Sequence, residues 1–339
     1  MSQSNYTKAD YKDAALQPPA GTPSPQPAPS GKPRSRRWTS ALAIAGALVL
    51  VIALLLYGSG VYIVSSMFSQ RVEKLEYTPE ALGLTAETLN LQSSDGIPLK
   101  AWWLPVPEPR GVVVLLHGME GMDASSLLPR ARLLGPEGYA CLALDMRAHG
   151  RSGGERIALA FEEPRDVSAA LDWIQSQPDL RDLPVTLLGI SMGGSTAIRT
   201  AASRPDVDAV ISVSSYDSVD HMIEQGMRLM GAPEWLIPIY SPFIRLGILT
   251  VYGVWPATAS PRHDIARIPP RPVLIIHGDA DDQVPVEQAH RLVEASDGQA
   301  EIWIVVGGSH GVYSTEFEGD QDLEYRQRIL TFLQNNVIH

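Results

Sequence analysis

The chain has 339 residues, 45% of them hydrophobic, with a formal net charge of −11 and a single cysteine. That length and apolar content suffice for one large domain with appendages. The acidic balance argues against nucleic acid as a partner, and a lone Cys141 excludes an intrachain disulfide.

The charge is uneven. Residues 1–38 hold six Lys/Arg against two Asp, so the remainder is more acidic than the whole. Pro18, Pro19, Pro23, Pro25, Pro27, Pro29 and Pro33 punctuate a stretch of Ala, Ser, Gly and Gln. Such a stretch cannot bury enough apolar surface to offset its chain entropy, and 1–38 is expected as a disordered tail. No charged residue follows from Trp38 through Gln70. A bilayer core of about 30 Å needs about 20 helical residues, so a transmembrane helix is expected over 39–66. A cleaved signal peptide is the alternative, but the apolar run exceeds the usual length and continues past Gly58-Ser59-Gly60 into Val61-Tyr62-Ile63-Val64. A core helix of the globular body is a third reading, set against by the long uncharged run beside a proline-rich tail. Lys32, Arg34, Arg36 and Arg37 precede the run, against Arg71 and Lys74 after it. The positive-inside rule then keeps the N-terminus cytoplasmic and places the 67–339 body outside, as a single-pass membrane protein.

From about 86 onward, short apolar runs alternate with longer amphipathic ones. Runs at 112–117, 139–145, 185–190, 208–213, 272–277 and 301–306 read as buried strands. Segments 124–135, 163–177, 192–203, 286–296 and 320–336 read as helices. Alternation of this kind predicts an α/β fold, a mostly parallel sheet with helices on both faces. Residues 86–104, with Trp102 and Trp103, read as an antiparallel hairpin at one edge. Cys141 falls in a buried strand, where a thiol serves packing. The interval 216–268 is too long for a bare loop. It is rich in Met222, Met227, Met230, Trp235, Ile244 and Ile248. It reads either as an apolar cap over an acyl pocket or as helices that simply cover the sheet.

Within this order sits Gly189-Ile190-Ser191-Met192-Gly193. A strand runs into a tight turn carrying a serine, and a helix follows at once, the context a nucleophile elbow needs. A serine hydroxyl is a poor nucleophile at neutral pH. It requires a neutral imidazole to take its proton and a carboxylate to orient that imidazole. Downstream histidines are His221, His263, His277, His290, His310 and His339. His310 lies in a glycine-rich loop after a strand, so it can reach a serine at a neighbouring strand end. His277 reads as a packed or hydrogen-bonded loop histidine, His290 falls on a helix, and His221 and His263 lie in the insertion. For the carboxylate, Asp279, Asp281 and Asp282 follow the 272–277 strand. Asp282 suits a turn or cap before Pro285, Asp281 is the choice, and Asp217 is its main rival. The backbone N–H of Met192, next after Ser191, is a candidate donor to an oxyanion. His117 and His149 lack any CxxC or HExxH context, and there is no P-loop and no G-x-G-x-x-G opening a helix, so neither a metal nor a nucleotide cofactor is expected.

Four motifs together resemble the alpha/beta hydrolases, and most of all the serine aminopeptidase and monoacylglycerol-lipase-like branch. His277-Gly278-x-x-Asp281-x-x-Val284-Pro285 is similar to that family's acid loop. His117-Gly118-Met119-Glu120-Gly121 resembles its H-G-x-x-G loop. Asp145-Met146-Arg147-Ala148-His149-Gly150-Arg151-Ser152 is similar to its D-x-R-G-x-G-x-S loop, with Ala148 where glycine is usual. The resemblance covers about 85–339. It implies the chain order serine, acid, histidine, hence a Ser191–Asp281–His310 triad. It also implies the N–H of Met119 as the second oxyanion donor and a lid after the sixth strand, over 216–268. The expected function is a membrane-anchored serine hydrolase that cleaves small-molecule or lipid esters with apolar acyl groups. A non-catalytic binding module of the same fold, or a peptidase or acyltransferase with the same triad, are the alternatives. The sequence leaves oligomeric state open.

Overall fold

A computed structural model describes residues 34–68, 76–119, 121–312 and 320–336, with side chains from 38 onward and, in the last helix, from 323. The proline-rich part of the expected tail lies outside the described residues, as do Arg71, Lys74, Glu120 and His339. The chain divides into two compact units, Met1–Val51 and Ile52–His339.

Helix α1 runs Arg34–Phe68, past both ends of the 39–66 segment expected from hydropathy. In the first unit its described side chains, from Trp38 on, are exposed, including Trp38, Leu42, Ile44 and Leu48. Within it, Trp38–Phe68 is long and apolar enough to cross a membrane.

The second unit, beyond the end of α1, is built on eight strands: β1 Glu87–Gln92, β2 Pro98–Leu104, β3 Gly111–Leu116, β4 Tyr139–Asp145, β5 Val185–Ile190, β6 Ala209–Val213, β7 Val273–Gly278 and β8 Glu301–Val305. Its helices are α2 Leu128–Leu134, α3 Glu163–Ser176, α4 Met192–Ser203, α5 Val219–Leu229, α6 Ile237–Tyr252, α7 Pro261–Ile265, α8 Glu287–Ala295 and α9 Asp320–Asn336. The six strands read from sequence as a parallel core agree with β3–β8 to within one residue. The expected 124–135 helix is a 3-10 turn at Ala124–Leu127 followed by α2. Asp123 starts that turn by accepting the Ser125 N–H at 2.8 Å.

The sheet order is β1-β2-β4-β3-β5-β6-β7-β8. β1 with β2 and β2 with β4 are antiparallel, and every pair from β4 through β3 to β8 is parallel. Strands covered on both faces must be apolar throughout. Val112, Val114 and Leu116 of β3 accordingly enter one core, while Val113 and Leu115 enter the other. The chain leaves β3 toward β4 on one side and returns across it to β5 on the other. That reversal is a topological switch point, where loops at the carboxyl ends of adjacent strands diverge and leave a crevice. The register pairs Leu116 with Gly189, so the loops after β3 and β5 open side by side into it.

The 216–268 insertion lies between β6 and β7. It consists of α5, α6, a 3-10 turn at Pro256–Thr258 and α7. Leu229, Met230, Trp235, Ile239 and Leu249 remain exposed on it.

Candidate active site

β5 ends at Ile190 and α4 begins at Met192, so Ser191 alone makes the turn. It does so at φ 52° and ψ −117°, a sparsely populated conformation for a residue with a Cβ. The Ser191 N–H donates to the Val213 carbonyl at 2.8 Å, and the Ser191 carbonyl accepts the Ser195 N–H at 3.1 Å. The flanking glycines let three backbones converge. A methyl at Gly189 would strike the Gly193 carbonyl, and one at Gly193 would strike the carbonyls of Leu116 and His117. The β3 loop passes so near that a methyl at Gly118 would lie 3.5 Å from the Ser191 Cβ. Met192 opens α4, and its N–H is one of the four that a helix leaves without an intrahelical partner.

The structure brings Asp281 and His310 together on adjacent loops after β7 and β8. His310 Nδ1–H donates to Asp281 Oδ2 at 2.8 Å, which leaves Nε2 as the lone-pair nitrogen of the neutral ring. Asp281 Oδ1 accepts the N–H groups of Gln283 and Val284 at 2.9 and 2.8 Å. His277 Nε2–H donates to the Val284 carbonyl at 2.7 Å and lies 3.3 Å from Asp281 Oδ2. Burial by itself would raise the Asp281 pKa. Hydrogen bonds from His277 and His310, the electrostatic pull of the His310 ring when it takes up a proton, and the Val284 N–H outweigh it and hold the carboxyl below the usual range. His277 is hydrogen-bonded as its sequence suggests, but it stands on β7 rather than in a loop, and from there it braces the acid.

The rival carboxylate is committed elsewhere. Asp217 meets His221 Nδ1 at 2.7 Å and Arg291 Nε at 2.6 Å. Asp279 accepts the Gly307 N–H at 2.6 Å and ties the acid loop to the histidine loop. Asp282 does not cap the next helix: Val286 is the N-cap of α8, with no side-chain bond.

The two remaining motifs interlock beneath the serine. His117 Nδ1–H donates to the Gly118 carbonyl at 2.7 Å, and its Nε2 accepts the Met146 N–H at 3.0 Å. Burial, then the neighbouring His149, hold its pKa well below the ordinary value. His149 is buried. Its ring centroid lies 4.5 Å from that of His117. Its nitrogens sit 2.8 Å from the Arg147 carbonyl and 2.8 Å from the Met119 carbonyl, so it anchors the residue expected to offer the second oxyanion donor. Arg147 clamps the loop onto α3 through Asp166 at 2.7 Å, and reaches Glu162 at 2.7 Å and Asp95 at 2.8 Å. Ala148 adopts φ 60° itself, the left-handed conformation for which glycine is usual.

Ser191, Met192, Gly118, Met119, Met122 and His310 all line one cavity of about 510 Å³. Tyr216 and Gln283 add the other polar side chains among the described lining residues. The cap contributes Met222, Met227, Ile244 and Ile248, and the end of α1 contributes Ile63, Val64, Met67 and Phe68. The share of α1 is absent from the sequence reading. A helix apolar on every side carries no periodic signal that singles out a buried face.

Comparison with known proteins places these features. Residues 107–245 match the family described as serine aminopeptidase, S33. A monoacylglycerol lipase of Mycolicibacterium smegmatis is 29% identical over 226 residues, covering 57% of this chain and 78% of that protein. The human monoglyceride lipase is 38% identical over 106 residues, 31% of this chain and 34% of that one. An esterase of Pyrococcus furiosus shares the fold with a TM-score of 0.64 at 23% identity, covering 80% of this chain and 98% of that chain. The chain belongs to the alpha/beta-hydrolase superfamily. In alpha/beta hydrolases the serine turn and the loop after the third strand together frame the reacting carbonyl. Those two segments are the ones whose backbones touch here.

Proposed function

We propose that this alpha/beta hydrolase is a membrane-anchored serine hydrolase that cleaves carboxylic esters with apolar acyl groups. Ser191 is the nucleophile, His310 the general base and then acid, and Asp281 the group that orients His310. The observation that carries the reading is one apolar cavity holding both a serine in a strained strand-to-helix turn and a histidine bonded to a buried carboxylate.

Ser191 Oγ attacks the acyl carbon as its proton passes to His310 Nε2. The tetrahedral oxyanion is held by the N–H groups of Met119 and Met192; losing one such donor costs about 3–4 kcal/mol of transition-state stabilisation. The N-terminus of α4 adds favourable dipole to the same point. Collapse expels the alcohol, which takes the proton from His310. Water then attacks the acyl-enzyme and gives a proton to His310. A second collapse releases the carboxylic acid and returns that proton to Ser191. Asp281 stays ionised throughout and stabilises the imidazolium.

Among the described lining residues none is acidic. An aminopeptidase must hold a substrate ammonium, and an unpaired charge in an apolar cavity is costly. The lining therefore favours an ester over a peptide with a free amino end. Anchoring is supported by the length and apolarity of Trp38–Phe68, with the N-terminus cytoplasmic on the strength of the basic residues before it.

A fluorophosphonate probe will label the full-length protein, and Ser191→Ala will abolish labelling. Asp281→Asn and His310→Gln will lower kcat by about 10³-fold or more with KM little changed. A folded wild-type protein that never labels would refute the assignment.

A further inference from the structure

A bilayer core needs about 20 helical residues, yet the apolar part of α1, Trp38–Phe68, has 31, or about 46 Å of helix. Its last turns pack into the body. Gly60 and Val64 are buried, as is Phe68, at helical spacing on one face. Gly60 lies directly on the α6 backbone. A methyl there would strike the Phe243 carbonyl, and one at Gly247 would come within 2.7 Å of the Gly60 oxygen. Backbones approach this closely only where both helices present small residues. Hydrogen bonds from Tyr57 to Thr250 at 2.9 Å and from Tyr240 to Ser59, whose own proton goes to the Leu56 carbonyl, at 2.7 Å pin the same contact. The Phe68 carbonyl accepts the Ile157 N–H at 2.8 Å. The rotation of these turns is therefore fixed, and it sets Ile63, Val64, Met67 and Phe68 on the cavity that holds Ser191 and His310.

We infer that the last two turns of α1 are part of the substrate site. They form a wall of an acyl-chain channel shared with α5 and α6, and their side chains determine which chain lengths are accepted. This rests on the serine-hydrolase reading and extends it. The ligand class is the single unbranched acyl chain of a lipid ester. The cavity volume falls in the range of small-ligand sites. Apart from Phe68, Tyr216 and Gln283, its described lining beyond the reacting groups is mostly methionine and aliphatic, side chains that adapt to a flexible hydrocarbon. A body beginning near Arg71 would lack this wall, so anchor and specificity are coupled in one helix.

The test uses the full-length chain in detergent and an alkyl fluorophosphonate with a diazirine near the far end of a dodecyl chain. Ser191 Oγ displaces fluoride from phosphorus and loses its proton; irradiation then links the chain end to whatever it touches. Peptide mapping is expected to find crosslinks within 61–68. Phosphonylated Ser191 with crosslinks only elsewhere would overturn the inference. Absence of phosphonylation on folded protein would remove the hydrolase reading instead, and the inference with it. Independently, Met67→Trp and Ile63→Trp are expected to lower the ratio of kcat/KM for dodecanoyl over butanoyl esters about tenfold, given the sensitivity of apolar pockets to added volume. An unchanged ratio in variants that keep the wild-type melting temperature would also overturn it.

Discussion

At the scale of single residues, Ser191 holds the least comfortable backbone in the site. A side chain at φ 52°, ψ −117° stores about 1–3 kcal/mol. Glycine would relieve that strain and return roughly 0.5–1 kcal/mol as greater chain entropy in the unfolded state. Ser191→Gly is therefore expected to raise stability by about 1 kcal/mol while erasing probe labelling; for a body of this size that is a melting-temperature rise of about 2–4 °C. A fall in melting temperature would show that the turn is unstrained. Asp281 is strained in no such way. It gives both oxygens to protein donors, and Gln283 and Val284 hold Oδ1 while Oδ2 faces His310.

At the scale of elements, the informative pair is α1 and α6. Gly58 and Gly60 stand two residues apart on α1. A methyl at Gly58 would meet nothing within 4 Å, whereas one at Gly60 would drive into the α6 backbone. Alanine is otherwise the better helix former by about 1 kcal/mol. Gly58→Ala is expected to leave the melting temperature in detergent unchanged or higher. Gly60→Ala is expected to lower it, at a cost of about 1–3 kcal/mol for overpacking. Equal effects would mean that the end of α1 does not seat on α6.

At the scale of the whole molecule, the proposed anchoring by α1 predicts an extracytoplasmic body, and the lone cysteine makes that measurable. Cys141 is buried, and burial pushes its thiol pKa far up, so it stays protonated and shielded. Asp182, between α3 and β5, has an 89% exposed side chain. Asp182→Cys therefore supplies the reactive thiol of the molecule. A membrane-impermeant maleimide is expected to label it in intact cells producing the full chain. Labelling only after permeabilisation would reverse the proposed orientation.

What the sequence determined by itself is whatever local pattern encodes. Apolar runs with both faces covered marked β3 to β8, because a parallel sheet leaves its central strands no polar face. Glycines spaced around Ser191, and the His277 to Pro285 stretch, marked the loops that carry Ser191 and Asp281. Other features depend on partners remote in the chain. Asp281 and Asp217 both follow strands near the site, and only packing commits Asp217 to His221 and Arg291 and leaves Asp281 for His310. The bracing of Met119 by His149 joins two loops thirty residues apart. The share of α1 in the cavity was hidden for a different reason. A segment apolar on every side looks the same whether lipid or protein covers it, and only the seating of Gly60 against α6 decides which of its faces belongs to the site.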